Sequence, residues 1–253
     1  MALLQTCWAI LLATVAEVGE SGPGVVTRSW GTPVFEDTLA LDISEALRPQ
    51  LVKLARELQA AQPQGTRKSN VGGWQSEPVD LVPGSNFALA RLVDHILDAA
   101  RWFVSDGLGD DMRRQRALIT GEYQLEVASI WFNVNRPRDY NHPHVHTDSF
   151  ISGVFYVEVG PQPSDQEEHG SVLVLSDPRV QIQQFEYFDW YGMGVQRRIH
   201  PAPGMLVMFP SWLVHRVEPV PEPQAGGQDA PAPNNSDARI SVSFNLVFRP
   251  ART

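Results

Sequence analysis

Two spacings of apolar residues divide this chain. From Asp42 to Phe103 they recur every three or four positions, and from about Glu122 onward they alternate or run in short blocks. The stretch DISEALRPQLVKLARELQAA sets Leu47, Leu51, Leu54, Leu58 and Ala61 on one stripe, the period of a helix with one buried face. Ser44 stands where an N-cap hydroxyl is expected, and Pro49 predicts an irregular first turn. A second helix is expected from Ser85 to about Phe103, with Leu89, Leu92, Ile96, Ala100 and Phe103 inward. Both stripes read as core packing and carry no chemistry. Between them KSNVGGWQS, residues 68–76, offers Gly72-Gly73 as a turn and Trp74 as an anchor. After Pro33 the first half therefore reads as helical, with a loop between two helices.

The second half reads as strands. EVASIWFNV, SGVFYVEV, SVLVL, GMLVMF, WLVHRV and RISVSFNLVF are separated by Pro, Gly and Asp clusters. Six such runs predict an antiparallel barrel or jelly roll with the helices packed outside, an α+β class that is mainly β. The last run is the most informative. Ile240, Val242, Phe244, Leu246 and Phe248 form one set, and Arg239, Ser241, Ser243 and Asn245 alternate with them, broken by Val247. Period two sends the polar set to one face. If helices cover the apolar face, the polar face lines the lumen. An Arg and a Ser two apart inside a cavity then make a carboxylate clamp. An ordinary sheet with a solvated polar face accounts for the same strand equally well.

Composition narrows the partners. At 253 residues and 43% hydrophobic, the chain can bury one sizeable core. The expected layout is a single domain over 27–253, helical over about 40–110 and β-rich over about 120–250. A net charge of -9 without a Lys/Arg cluster argues against nucleic acid. The apolar run Ala2–Ala16 is too short to span a bilayer. Thr14-Val15-Ala16 resembles a cleavage site, although no basic segment precedes the run, so 1–16 reads as a signal peptide or as a buried N-terminal helix. The first implies the secretory pathway or a lumen, the second the cytoplasm. The lone Cys7 would leave with such a peptide, and the sequon Asn234-Asn235-Ser236 adds little weight. Residues 219–237, PVPEPQAGGQDAPAPNNSD, read as a mobile loop between the last two strands and as the rim or lid of a nearby site.

Chemistry concentrates in NHPHVHTDSF, residues 141–150, which holds three of the seven histidines. On an extended strand, residues two apart point to one face about 6.5–7 Å apart. His144 and His146 can therefore converge on one point, and so can His146 and Asp148. His215, in PSWLVHRVEP, is the best third ligand from another strand. Three protein ligands on a barrel leave open positions, as in non-haem Fe(II) oxygenases. The competing reading is a surface histidine tract. His95, His169 and His200 read as structural or solvated.

These segments resemble a known superfamily. HVH, GVFYV, GMLVMFPSWLVHRVEP and ARISVSFN are similar to the prolyl-hydroxylase-like branch of the 2-oxoglutarate/Fe(II) oxygenases. KSNVGGWQS, WFNVNRPRDYNHPHVHTDSFISGVFYV, DPR at 177–179 and FPSWLVHRVEP resemble a narrower family of 2OG-Fe(II) oxygenases whose name carries no substrate. The resemblance runs from about residue 30 to the C-terminus. It implies a double-stranded β-helix (jelly roll) core with flanking N-terminal helices, Fe(II) as metal and 2-oxoglutarate as co-substrate. Arg239 and Ser241 match the Arg-x-Ser pair for the distal carboxylate of 2-oxoglutarate, and Tyr156 matches a tyrosine that assists it. Arg239 lies 24 residues after His215, a longer gap than the family's usual one. The narrower family's His-x-His favours His144, His146 and His215, with Asp148 as the alternative ligand from the superfamily's usual His-x-Asp. Trp131, Asn133 and Asn135 are candidate substrate or supporting contacts. The implied activity is a 2-oxoglutarate-dependent dioxygenase, an oxidoreductase hydroxylating an unknown substrate. Two rivals are a cupin-like isomerase or sugar-binding protein without 2-oxoglutarate, and a non-catalytic protein that has kept the barrel. Neither the substrate nor the oligomeric state is legible.

Overall fold

The computed structural model describes residues 25–29, 31–82, 84, 86–107, 121–161, 171–179, 195–222 and 238–251. The expected signal peptide at 1–16, the sequon, His169 and most of the 219–237 loop lie outside the described residues. Among the described residues twelve strands and two helices follow in order: β1 Val25–Ser29, β2 Thr32–Thr38, α1 Leu41–Ala61, β3 Asn70–Val71, β4 Trp74–Gln75, α2 Phe87–Gly107, β5 Tyr123–Asn135, β6 Tyr140–His144, β7 Ile151–Val159, β8 Leu173–Ser176, β9 Gln196–Ile199, β10 Met205–Pro210, β11 His215–Val217 and β12 Arg239–Pro250.

The strands form a seven-stranded sheet, β1-β2-β10-β7-β12-β5-β4, and a five-stranded sheet, β3-β6-β11-β8-β9. Every pairing within them is antiparallel. The long β12 lies between β5 and β7 and sets the register of the larger sheet. Its apolar set does what period two requires. Ile240, Val242, Phe244 and Leu246 are buried in one cluster with Leu47, Leu51 and Ala55 of α1 and with Leu89, Leu92, Ile96 and Phe103 of α2. A second cluster, built from Val34, Tyr156, Leu173, Leu175, Val207, Phe209 and Leu213, brings residues of both sheets together. This is a jelly-roll core with helices on the outer face of the larger sheet. No helix among the described residues is long and apolar enough to cross a membrane.

Several local expectations need correction. The segment after Pro33 is not helical at once: β1 and β2 form a hairpin through Gly31 at φ +76°, and β2 pairs with β10. Ser44 does not cap α1. The helix starts at Leu41 with no side-chain cap, and Ser44 is buried inside the first turn against Gly204. Pro49 does not disturb the helix. It sits on the solvent face, where water can serve the carbonyl that its missing N–H leaves. Ala61 is exposed, and Ala55 completes the buried stripe instead. The second helix begins at Phe87 because Asn86 caps it, its Oδ1 accepting from Leu89 N–H at 2.9 Å. Within WLVHRV only His215–Val217 is strand; the residues before it form a turn.

Gly153 in β7 leaves room for its two neighbouring strands in the larger sheet, β10 and β12. A Cβ there would stand 2.4 Å from the Phe244 ring and 2.6 Å from the Val207 carbonyl. Gly153→Ala is expected to cost about 1–3 kcal/mol of stability, the usual range for overpacking. Chemical denaturation checks this, and an unchanged midpoint would show that the sheet can spread at no cost.

Candidate metal and co-substrate site

The polar face of β12 is continued by its neighbours, because residues opposite one another in an antiparallel sheet share a face. Arg239 faces Asn135; Ser241 lies between Asn133 and Tyr156; Ser243 lies between Trp131 and Val154; Asn245 lies between Ser129 and Ser152. All of these residues line one cavity of about 760 Å³. Hydrogen bonds lock the rows together. Asn133 Nδ2 donates to Ser243 Oγ at 2.9 Å, Asn245 Nδ2 to Ser129 Oγ at 3.1 Å, and Ser152 Oγ to Asn245 Oδ1 at 2.8 Å.

The histidines enter the same cavity from the smaller sheet. His144 on β6 pairs directly with His215 on β11. His146 lies just past the end of β6, and its backbone N–H is held by the Ser211 carbonyl at 2.9 Å. One ring nitrogen from each of His144, His146 and His215 lies within 4.8 Å of the other two. Two rings have their tautomer set by a backbone acceptor. His144 Nδ1 donates to the His142 carbonyl at 2.7 Å and His215 Nδ1 to the Leu213 carbonyl at 2.9 Å, which leaves Nε2 as a free lone pair. Ser69 Oγ is 3.2 Å from His144 Nε2, and His146 and His215 bring their Nε2 atoms to 3.3 Å. Trp131 stacks on His146 at 5.7 Å.

Electrostatics keeps these rings neutral. Burial lowers His146 to about 4, the neighbouring His144 pushes in the same direction, and a hydrogen bond with Asn245 opposes both. Burial also lowers His144 and takes His215 well below its ordinary value. Neutral imidazoles are the form that binds metal, and converging lone pairs repel one another until a cation sits between them.

Asp148 is not part of this cluster. Extended strand ends at His144, the chain bends, and Asp148 is exposed at φ +58° outside the cavity lining. The shared face inferred from alternation therefore stops short of it. His142 is exposed, as is His200, and His95 is half-buried 3.8 Å from Asp37.

The other charged centre is Arg239, 2% exposed. Among the described residues its guanidinium has one hydrogen bond, from Nη1 to the Ser171 carbonyl at 3.2 Å, and no carboxylate within ion-pair range. Burial lowers its pKa, which Tyr156 and Asp139 partly offset. A guanidinium nonetheless stays charged in proteins. Burial pushes the Tyr156 phenol up to about 12, so it is a neutral hydroxyl beside that cation.

Ser69 is missed in the sequence, where KSNVGGWQS stands out only for its Gly72-Gly73 turn and Trp74 anchor. In the fold the Ser69 carbonyl accepts from His142 N–H at 2.9 Å, and Asn70 pairs with Asn141, so this segment closes one wall of the site.

Residues 129–225 match the family described as "Putative 2OG-Fe(II) oxygenase". That stretch, which holds all three converging histidines, is similar to the 2OG-Fe(II) oxygenases. The family's description gives Fe(II) as metal and 2-oxoglutarate as co-substrate, and the residues present fit both. Three neutral imidazoles suit a divalent iron, and an uncompensated buried guanidinium with Ser241 and Tyr156 hydroxyls nearby suits a carboxylate. No curated protein matches the chain by sequence. Among solved structures, the chain is similar to a Pseudomonas putida prolyl-4-hydroxylase at 19% identity and TM-score 0.52, covering 87% of this chain and 93% of that one. A prolyl hydroxylase from Trichoplax adhaerens, in complex with a hypoxia inducible factor peptide fragment, gives 11% identity and TM-score 0.51, covering 90% and 84%. A non-haem α-ketoglutarate-dependent carbocyclase from nogalamycin biosynthesis gives 14% and 0.52, covering 89% and 87%. The likeness extends to the fold. Hydroxylases and a carbocyclase share it, so the fold does not choose the reaction. The cupin-like alternative is not favoured by the family match.

Fe(II) affinity separates the two ligand frames. His144→Ala is expected to lose iron at least tenfold, whereas Asp148→Ala keeps most of it, by the usual cost of disturbing a metal's ligands. Isothermal titration under anaerobic conditions reads both. The reverse outcome would restore His146 and Asp148 as the primary pair.

Proposed function

We propose that this oxygenase hydroxylates its substrate, with His144, His146 and His215 holding Fe(II), and Arg239, Ser241 and Tyr156 holding the distal carboxylate of 2-oxoglutarate. Residues 27–253 act as one domain in this reading. The observation that carries it is Arg239: a buried cation without a carboxylate partner among the described residues, opening on the cavity that the three histidines share. A cupin-like protein has no use for that charge, and leaving it uncompensated would cost several kcal/mol.

When bound, Fe(II) and 2-oxoglutarate together activate O₂ for oxidation of a substrate C–H bond, with succinate and CO₂ as co-products. The chain's own residues bind, orient and exclude. The His142 and Leu213 carbonyls hold two imidazoles in the tautomer whose Nε2 is free. Asn245 steadies His146, and Ser152 and Ser129 steady Asn245 in turn. Arg239 supplies charge and Tyr156 a neutral hydroxyl, so the co-substrate's far end is fixed in one orientation. Trp131, stacked on His146, shields one side of the metal site from water. Together with Asn133 and Asn135 it faces the remaining volume, which we assign to substrate.

Arg239→Ala is expected to weaken 2-oxoglutarate binding at least tenfold, since a charge-assisted bond contributes about 1.5–3 kcal/mol. Fe(II) affinity should stay within about twofold, on the same energy scale. Titration of the iron-loaded protein without oxygen measures both, and an unchanged 2-oxoglutarate affinity rules out the clamp.

For location we propose entry into the secretory pathway, on the strength of the apolar run Ala2–Ala16 and its small-x-small ending. Mass spectrometry of the protein from its native source should find an N-terminus near Glu17. An intact Met1 or Ala2 rules this out in favour of the cytoplasm.

A further inference from the structure

Ser171 combines three properties that the site described above does not use. It is fully buried, its backbone sits at φ +53°, and its Oγ has no hydrogen-bond partner among the described residues. Glycine enters the left-handed region freely and asparagine or aspartate fairly often, but serine has no such ease. A buried hydroxyl without a partner adds a second, independent cost. Costs of this kind persist where the surroundings impose them, and they gather at functional sites.

What the conformation provides lies at the Ser171 carbonyl. It accepts from Arg239 Nη1 at 3.2 Å, the one hydrogen bond to that guanidinium among the described residues. The peptide on either side is pinned to the chain after β11: Ser171 N–H donates to the Pro219 carbonyl at 2.9 Å, and the Val172 carbonyl accepts from Glu218 N–H at 2.9 Å. The left-handed turn therefore aims a fixed carbonyl at one end of the guanidinium and leaves the rest of its planar fork for the cavity that Arg239 lines.

We propose that Ser171 is a positioning residue for 2-oxoglutarate, its left-handed backbone holding Arg239 in the orientation that receives the co-substrate's distal carboxylate. This rests on Arg239 being the clamp. A long, flexible side chain loses conformational freedom on binding an anion, and a preset orientation removes that loss beforehand.

The test varies backbone tolerance at 171 while keeping the carbonyl. Ser171→Gly, Ser171→Asn, Ser171→Ala and Ser171→Val are made in the full chain, and the dissociation constant of 2-oxoglutarate is measured on anaerobic, iron-loaded protein beside its melting temperature. Glycine and asparagine accept φ > 0, so affinity should stay within about twofold; valine resists it, so affinity should fall about fivefold or more, with alanine between. Ser171→Gly should also melt higher than the parent, because it relieves both costs. In an Arg239→Ala background the four variants should bind 2-oxoglutarate alike, which a merely structural role would not require. If Ser171→Val does not fold, the alanine and glycine pair carries the same comparison: weaker binding by alanine supports the role, and equal binding overturns it. A flat series, or glycine as damaging as valine, overturns it too. If Arg239→Ala alone leaves affinity unchanged, the clamp itself falls; if it weakens binding while the series is flat, only the role of Ser171 falls.

Discussion

The geometry of the site depends on which face of β12 the helices cover. Burying Ile240, Val242, Phe244 and Leu246 against α1 and α2 stabilises the fold by about 1.5–3 kcal/mol for each large apolar side chain. Alternation then leaves Arg239, Ser241, Ser243 and Asn245 nowhere to go but the lumen. A slip of one residue in the pairing would put Arg239 under the helices and Phe244 in the cavity, so the energy that holds the core also holds the site. The register shift in the pairing of β12 with β7, between Ile240 and Ser241, lies at this same strand end, where Arg239 and Ser241 enter the cavity.

The two sheets then divide the chemistry. The larger sheet supplies the cation and hydroxyls for the co-substrate, and the smaller supplies the imidazoles. Between them runs a hydrogen-bonded seam in which Ser149 donates to Ser211, the Ser211 and Ser152 hydroxyls are bonded at 2.8 Å, and Ser152 donates its one proton onward to Asn245 Oδ1. Ser211 in turn gives its carbonyl to His146 N–H. Small hydroxyl residues suit this seam because they satisfy buried polar atoms without filling the volume a ligand needs.

Most of this was legible where periodicity and chemistry agree. The histidine spacing and the β12 alternation each name a face, and the two faces meet. The sequence misled where a local signal competed with a tertiary one. β6 reads YNHPH, polar and containing a proline, and becomes a strand because β3 and β11 flank it rather than through propensity. β2 contains Pro33 and two acidic residues and pairs through its backbone with β10. Ser44 resembles a cap, but contact with Gly204 draws it inward. Ser171 gives no sequence signal at all, since a serine at positive φ looks like any other serine.

The ligand frame matters because of charge. Of the residues lining the cavity, only Glu77 carries a carboxylate; it is exposed, accepts from Thr66 Oγ1 at 2.7 Å and is offset by Lys68, an exposed cation of the same lining. With three neutral histidines as ligands, the iron's two charges and the Arg239 charge would meet no other carboxylate among the lining residues. A dianionic co-substrate can then set one carboxylate against the metal and one against Arg239, and one positive charge remains in excess. With Asp148 as a ligand the account would balance to zero. In a low-dielectric cavity that difference is large. The three-histidine frame thus makes the site's hold on a dianion stronger, and its tolerance of a substrate cation near the metal weaker, than the carboxylate frame would.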